Sequence, residues 1–120
     1  MMNIQQKRIY DAPSETDGLR ILADRLWPRG IKKENAKIDL WSKEITPSSE
    51  LRKWYHEDME NRWEEFRQRY TAELKQQTEA LNELRQLASK QTLTLLTSAK
   101  NEGLNHLTVL KQVLESGGSE

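Results

Sequence analysis

Residues 92–98, Thr-Leu-Thr-Leu-Leu-Thr-Ser, give the clearest indication of the fold. The stretch is β-branched and apolar, and neither of its alternating faces is clearly polar, which is typical of a strand covered on both sides. A second strand is predicted at residues 19–26, and the sequence between the two is helical. Because that connection is a crossover, we expect a small layered α/β domain with a short, mainly parallel sheet and helices packed on it.

The middle of the chain is predicted to be helical, because every Gly and Pro lies outside residues 48–102. The main helix is expected over residues 61–90, along one apolar stripe that Gln77 interrupts. Residues 39–45 are predicted to form another helical turn or two. The stripe consists of Trp63, Phe66, Tyr70, Leu74, Leu81, Leu84 and Ala88.

Shorter elements flank this helical region. A first strand is predicted at residues 4–10, and the sequence does not indicate its direction. A short helix is expected from Pro47, with Thr46 or Ser48 as its cap. A last helix is expected to start at Asn101 and to end at the two glycines near the C-terminus.

Length and charge limit the classes of protein that fit. The chain has 120 residues and a mass of 14.1 kDa, which suits one domain. We assign residues 1–116 to this domain and residues 117–120 to a flexible tail. Lys and Arg total 19 and Asp and Glu total 19, so no global field attracts nucleic acid or anionic lipid. Nucleic acid is therefore an unfavoured partner.

Several kinds of chemistry are missing from the sequence. There is no cysteine and there are only two histidines, so we expect neither a metal nor a cofactor. The usual sequence motifs of ATP-binding, dinucleotide-binding and hydrolase proteins are absent. The N-terminus lacks the apolar segment of a signal peptide, and no apolar run approaches the ~20 residues of a membrane span. We therefore expect a cytoplasmic protein that contacts no membrane.

The densest group of chemically useful residues is 24–30, Asp-Arg-Leu-Trp-Pro-Arg-Gly, directly after the second predicted strand. Arg25 and Arg29 can each offer a fork of donors to a phosphate or carboxylate, and Trp27 can stack on a flat ligand. Asp24 would orient an arginine, or act as a base if burial raised its pKa. The alternative is structural: an Asp24–Arg25 ion pair, a core tryptophan and a turn.

A second group follows the strand at 92–98 and would meet the first at the same sheet edge. Ser98 supplies a hydroxyl, Lys100 a charge and Asn105 a polar contact. His106 is the only general acid or base near neutrality in either group. In the alternative interpretation, the asparagine and serine are helix caps and the histidine is a hydrogen-bonded structural residue.

The sequence resembles the YeaO-like branch of the bacterial domain-of-unknown-function family 488, over nearly the whole chain. The resemblance implies a compact bacterial α/β protein whose characteristic polar residues gather near strand ends, and it implies no substrate. It rests on residues 7–11 (Lys-Arg-Ile-Tyr-Asp), Asp17-Gly18, residues 24–30, Trp41, residues 50–54 (Glu-Leu-Arg-Lys-Trp), residues 63–66 (Trp-Glu-Glu-Phe), residues 98–101 (Ser-Ala-Lys-Asn) and Asn105-His106.

Three functional hypotheses follow from these residues. The leading one is binding of an anionic small molecule, a nucleotide or a phosphorylated metabolite, with catalysis left open. The second is a partner-binding or regulatory module, in which exposed aromatics of the long helix, Trp63 and Tyr70, contact a second copy in a homodimer. The third is nucleic-acid binding through the basic and aromatic residues 52–55, with further arginines at 62, 67 and 69. It is the weakest, because acidic residues between 57 and 65 are interleaved with this longer basic run.

Overall fold

A four-stranded parallel sheet lies at the centre of the residues that the computed structural model describes, which are 3–99 and 105–117. The strands follow the spatial order β1-β4-β2-β3, and each neighbouring pair is parallel. The predicted α/β class is therefore confirmed, and the first strand runs parallel to the others. The strands are β1 (Ile4–Arg8), β2 (Leu19–Leu22), β3 (Leu40–Trp41) and β4 (Leu93–Thr97).

Helices supply most of the remaining described chain. The α-helices are α1 (Lys33–Ala36), α2 (Ser49–His56), α3 (Met59–Leu74), α4 (Thr78–Lys90) and α5 (His106–Gly117). Short 3₁₀ turns lie at Glu15–Asp17 and Lys43–Ile45. None of the helices in the described residues has the length and apolar character needed to cross a membrane.

The strand β4 lies between β1 and β2 and is buried along its whole length, as its sequence predicts. Alternate residues of a strand point to opposite faces of the sheet. On one face, Leu93 and Leu95 join a large core cluster that includes side chains of α2, α3, α4 and α5. On the other face, Leu96 joins a smaller cluster with Trp27 and Trp41. One face is thus covered by the longer helices, and the other by the segment that follows β2.

The predicted single helix over residues 61–90 is wrong, because the chain forms two helices there, α3 and α4. Gln77 lies between them with non-helical angles of φ −108° and ψ 45°. The position is the one at which the apolar stripe is interrupted. Leu74 before the break and Leu81 after it are both buried, so the turn lets each helix bury its own apolar side.

Two strand predictions are too long at their carboxyl ends. The first strand ends at Arg8, where the chain turns. The Asp11 carboxylate accepts a hydrogen bond from the Arg8 N–H, and the Asp11 N–H donates to the Arg8 carbonyl. The second strand ends at Leu22, and Asp24 then turns its side chain toward the end of β4. The first strand therefore ends in a turn, and the second ends where the Asp24 carboxylate accepts from the N–H of Ser98, the residue that follows β4, in place of a ladder bond.

Other boundaries also differ from the sequence-based expectations. Residues 39–45 form the short strand β3 followed by a 3₁₀ turn. Ser48 caps α2 by accepting a hydrogen bond from the Leu51 N–H, which confirms one of the two predicted caps. The predicted helix start at Asn101 lies outside the described residues. The single-domain assignment stays a prediction: Gly117 of the proposed tail belongs to α5, and residues 118–120 are outside the described part.

A buried ion cluster lies beneath the amino end of β2. Asp17 is 1% exposed, accepts a hydrogen bond from Arg20 at 2.5 Å and pairs with Lys7 at 3.1 Å. Burial alone would raise the pKa of the Asp17 carboxyl, but hydrogen bonds from Ser14, Lys7 and Arg20 outweigh it and lower that pKa below 3.8. The carboxylate therefore stays charged in the folded protein well into the acid range.

We expect Asp17→Asn to lower the free energy of unfolding at pH 7 by about 3–5 kcal/mol, because it leaves the buried Arg20 guanidinium without its charged partner. Since folding lowers the Asp17 pKa, its contribution is present above the unfolded value and is lost as pH falls through the folded value. Urea unfolding at pH 7 and at pH 3 measures both effects, and the variant should lose less stability on acidification than the wild type.

The control is Glu64→Gln, which removes an exposed pair with Arg67 and should cost less than about 1 kcal/mol. Equal unfolding free energies for Asp17→Asn and wild type at pH 7 would contradict the assignment.

Gly18 permits the close approach of β2 to the start of β4. Its φ of +64° and ψ of −131° are adopted readily only by glycine, and a Cβ there would lie 2.1 Å from the Thr92 carbonyl oxygen. The N–H of Leu19 donates to the same oxygen at 2.9 Å. The pairing of β2 with β4 therefore depends on residue 18 being a glycine, which has no Cβ.

Gly30 provides a matched test of this contact. Its φ is also positive, at +76°, but a Cβ there would meet nothing within 4 Å. We expect Gly18→Ala to lower the free energy of unfolding by more than about 2 kcal/mol and Gly30→Ala by about 1 kcal/mol. Denaturant titration of the two variants measures the difference, and equal losses would show that the contact with residue 92 has no effect.

Candidate functional site

A cleft of about 620 Å³ lies beyond the carboxyl ends of the strands. One wall comes from Tyr10, which follows β1, and from residues 24–29, which follow β2. The cleft is also lined by residues 97–99, the start of α5, Pro47 and side chains of α2 and α3. This is the position at which open parallel sheets bind their ligands. A second, smaller pocket of about 380 Å³ lies beside β1.

Both groups of residues singled out in the sequence line the larger cleft. Asp24, Arg25, Trp27 and Arg29 come from one stretch, and Ser98, Asn105 and His106 come from the other. Lys100, the remaining predicted site residue, lies outside the described residues. The two stretches are far apart in sequence and are brought together by the pairing of β2 with β4.

The carboxylate of Asp24 connects the ends of these two strands. Its Oδ1 accepts a hydrogen bond from the Thr97 hydroxyl at 2.7 Å, and its Oδ2 accepts from the N–H and the hydroxyl of Ser98 at 2.8 and 2.9 Å. His106 Nε2 lies 3.3 Å from Oδ1. The side chain therefore fixes β2, β4 and the first residue of α5 relative to one another.

The state of Asp24 differs from that of a general base. Burial raises the pKa of its carboxyl, but the hydrogen bond and charge of His106, with the hydrogen bonds from Thr97 and Ser98, lower it below 3.8 overall. A base working near neutrality needs the opposite shift. The alternative Asp24–Arg25 ion pair is not formed either, since Arg25 Nε donates to the Pro47 carbonyl at 2.8 Å. Asp24 is thus a charged connector.

His106 is held by one ring nitrogen. Its Nε2 lies 2.5 Å from the Ala23 carbonyl oxygen, which can only accept a hydrogen bond, so this nitrogen carries the hydrogen and Nδ1 accepts in the neutral ring. The edge of the ring meets Tyr70 at a centroid distance of 6.2 Å. The hydroxyl of Ser98 bonds to Asp24 and not to this histidine. The described groups therefore do not form a serine nucleophile with an adjacent base.

Three arginines line the cleft without a carboxylate partner among the described residues: Arg25, Arg29 and Arg52. Asp24 is the only acidic residue among the described residues that line it, and its oxygens already accept hydrogen bonds. The cleft is therefore locally basic in a chain of zero net charge. Elsewhere in the described part, four arginines pair with carboxylates: Arg20, Arg62, Arg67 and Arg69.

Arg52 and His56 of α2 are cleft residues that the sequence interpretation did not assign to this site. Partial burial, followed by the charges of Arg52 and His106, lowers the pKa of His56 below 6.5. Their spacing of one helical turn places them on one face of α2, but the surface that this face meets depends on how the helix packs. No described group of three or more His, Cys, Asp or Glu side chains is arranged to hold a metal ion.

Apolar groups at the rim of the cleft are unusually exposed. Leu26 is 74% exposed and Tyr10 is 44% exposed, and they are the exposed large apolar residues of the described part. The Tyr10 hydroxyl donates to the Arg29 carbonyl at 3.1 Å. Trp27, predicted to stack on a ligand, donates to the Ile31 carbonyl and packs edge-on against Trp41 at 5.4 Å. Tyr10 is therefore more exposed than Trp27, which is partly buried.

Residues assigned from the sequence to two alternative binding surfaces are buried or already in contact with other side chains. Tyr70 is 0% exposed and donates its hydroxyl to the Ile45 carbonyl, so it is not the exposed dimer contact that was predicted. Trp63 is half-buried against Phe66. In the proposed nucleic-acid surface, Tyr55 is buried. The ring of Trp54 in the same surface is already contacted by two arginines, Arg62 and Arg69.

We expect Asp24→Asn to lower the free energy of unfolding by about 1–3 kcal/mol, since the amide has only one acceptor oxygen for donors on two sides. Urea unfolding followed by circular dichroism measures the change. Glu83→Gln, an exposed substitution on α4, serves as the charge-matched control and should have little effect. An unchanged midpoint in Asp24→Asn would mean that the carboxylate does not hold the strand ends together.

The described residues form a small α/β protein with an all-parallel sheet and a basic cleft at the strand ends. Residues 3–119 match the model of the family described as the inactive DUF488-N3 subclade, and the chain belongs to this family. The resemblance noted in the sequence is therefore confirmed.

Known relatives are bacterial proteins of similar length. The chain is 53% identical to the uncharacterised protein YeaO of Escherichia coli K12 over 115 residues, which cover 96% of the chain and 99% of that relative. It is 40% identical over 111 residues to uncharacterised proteins of Mycobacterium tuberculosis H37Rv and Mycobacterium bovis, which covers 92% of each chain. No solved structure is a significant match.

Proposed function

We propose that the protein binds a small anionic molecule, such as a nucleotide or a phosphorylated metabolite, in the cleft at the strand ends. The observation that carries this proposal is the set of three cleft arginines without a carboxylate partner among the described residues. A guanidinium group in an apolar cleft is stabilised by a bidentate anion, and phosphate and carboxylate fit its geometry.

The way Arg25 is held supports this role. Its Nε donates to the Pro47 carbonyl, which connects the loop after β2 with the start of α2 and restrains the guanidinium at the cleft wall. No described residue accepts from the remaining N–H groups of the side chain, which would bind an anion. A donor that is restrained before binding loses less conformational entropy when the ligand arrives.

Polar groups on the floor of the cleft would complete the site. Ser98 and His106 are held by Asp24 and would contact the ligand through their remaining hydrogen-bonding capacity. Asn105 accepts a hydrogen bond from the Leu107 N–H with its Oδ1, so it caps α5 at the edge of the cleft. Lys100, which follows residues 97–99 in the sequence, would add a further positive charge.

Binding without turnover is the form of this function that the site favours. The low pKa of Asp24 opposes proton abstraction, and Ser98 bonds to that carboxylate and not to a base. The description of the family as an inactive subclade agrees with such a role. His106 then serves as a hydrogen-bonding group, and not as the acid or base predicted from the sequence.

Titration calorimetry with ribose 5-phosphate and inorganic pyrophosphate tests the proposal. We expect binding by the wild type and a loss of about tenfold or more in affinity for Arg25→Ala and for Arg29→Ala, since each removes hydrogen bonds to a charged group. Higher salt should also weaken binding.

The matched control is Arg67→Ala, which removes the same charge from the surface of α3, where Arg67 pairs with Glu64. It should bind both probes as the wild type does. Unchanged affinity in the two cleft variants, or an equal loss in the control, would overturn the assignment of the anion site.

A further inference from the structure

We propose that the ligand of this cleft is a flat aromatic phosphate ester, of which a nucleoside monophosphate is one cellular form, with its ring on Tyr10 and its phosphate at Arg29 and Arg25. This inference rests on the anion-binding function above and specifies the class of ligand. The juxtaposition that carries it is a 44% exposed tyrosine beside guanidinium groups that have no carboxylate partner among the described residues.

The exposed apolar surface is concentrated where the positive charge is. Leu26 and Tyr10, the exposed large apolar residues of the described chain, both line the cleft that contains the three arginines. A bare phosphate or a sugar phosphate would satisfy the charges but would leave this surface in water. A ligand with an attached ring covers it and gains the free energy of apolar burial.

The ring of Tyr10 is held in place for such a contact. The Arg8 guanidinium lies 5.0 Å from its centroid, and the Tyr10 hydroxyl donates to the Arg29 carbonyl. The first contact restrains the ring and the second restrains its hydroxyl, while 44% of the residue stays exposed. Because the hydroxyl donates to the backbone of Arg29, Tyr10 and Arg29 are neighbours in the cleft lining, within reach of one small ligand.

The dimensions of the cleft agree with a ligand of two parts. Its volume of about 620 Å³ lies inside the range of about 300–1,000 Å³ that is usual for small-molecule sites. Stacking on an aromatic side chain does not depend on the identity of the base, since every base has a flat π face. The described contacts therefore select a ring and a phosphate without selecting one base.

Calorimetric titration of the full chain with four probes tests the inference: adenosine 5′-monophosphate, riboflavin 5′-phosphate, ribose 5-phosphate and adenosine. We expect at least one aromatic phosphate to bind about tenfold or more tightly than ribose 5-phosphate, and adenosine to bind weakly. Comparison of the affinities for the two aromatic phosphates shows whether the cleft fits a nucleoside monophosphate or a flavin phosphate better.

Two substitutions of the same residue identify the ring contact. Tyr10→Leu keeps an apolar side chain but removes the ring, so the preference for the aromatic phosphate should be lost while affinity for ribose 5-phosphate is kept. Tyr10→Phe keeps the ring and should retain most of the preference. The residue is 44% exposed, and circular dichroism would check that both variants fold.

The outcomes separate this inference from the function on which it rests. Ribose 5-phosphate binding that depends on Arg25 and Arg29, without a preference for any aromatic phosphate, would keep the anion site and overturn the ligand class. A preference that survives in Tyr10→Leu would also overturn it. If none of the phosphates binds, both the anion-binding function and the ligand class fail.

Discussion

The rest of the molecule depends on the junction that Asp24 makes at the end of β2. Its carboxylate accepts hydrogen bonds from Thr97 and Ser98 at the end of β4, and His106 at the start of α5 contacts the same group. Its backbone carbonyl accepts from the Trp41 indole N–H on the other face of the sheet. One residue therefore joins two strands, a helix and the segment covering the second face. The same contacts give the cleft its floor.

The architecture was predictable because it follows from periodicity and connectivity. The unbroken apolar character of β4 indicated a buried central strand, and a helical connection made parallel pairing the expected result. The helix break at Gln77 was visible as a gap in the apolar stripe, but the sequence does not say whether such a gap bends a helix or ends it. The early ends of β1 and β2 depend on hydrogen bonds that the Asp11 and Asp24 carboxylates accept, which periodicity does not register.

The composition of the candidate site was partly predictable for a related reason. Residues at the carboxyl ends of parallel strands share an edge, so Arg25 and Ser98 could be placed near each other without coordinates. Arg52 could not, because the packing of α2 over that edge is a tertiary property. The partner of Asp24 was also beyond sequence reasoning, since the neighbouring Arg25 turns to the Pro47 carbonyl and leaves the carboxylate to β4.

The uneven covering of the sheet has a consequence for the energetics of binding. Leu22 and Leu96 on the second face are shielded by residues 27–41, and the first residues of that segment also border the cleft. A ligand that contacted residues 27–29 in the cleft would restrain them and so oppose detachment of the whole segment. By thermodynamic reciprocity, a substitution of Trp41 that loosens its contact with Trp27 would then weaken ligand affinity, although Trp41 is not among the residues that line the cleft, if detachment removes the binding-competent form.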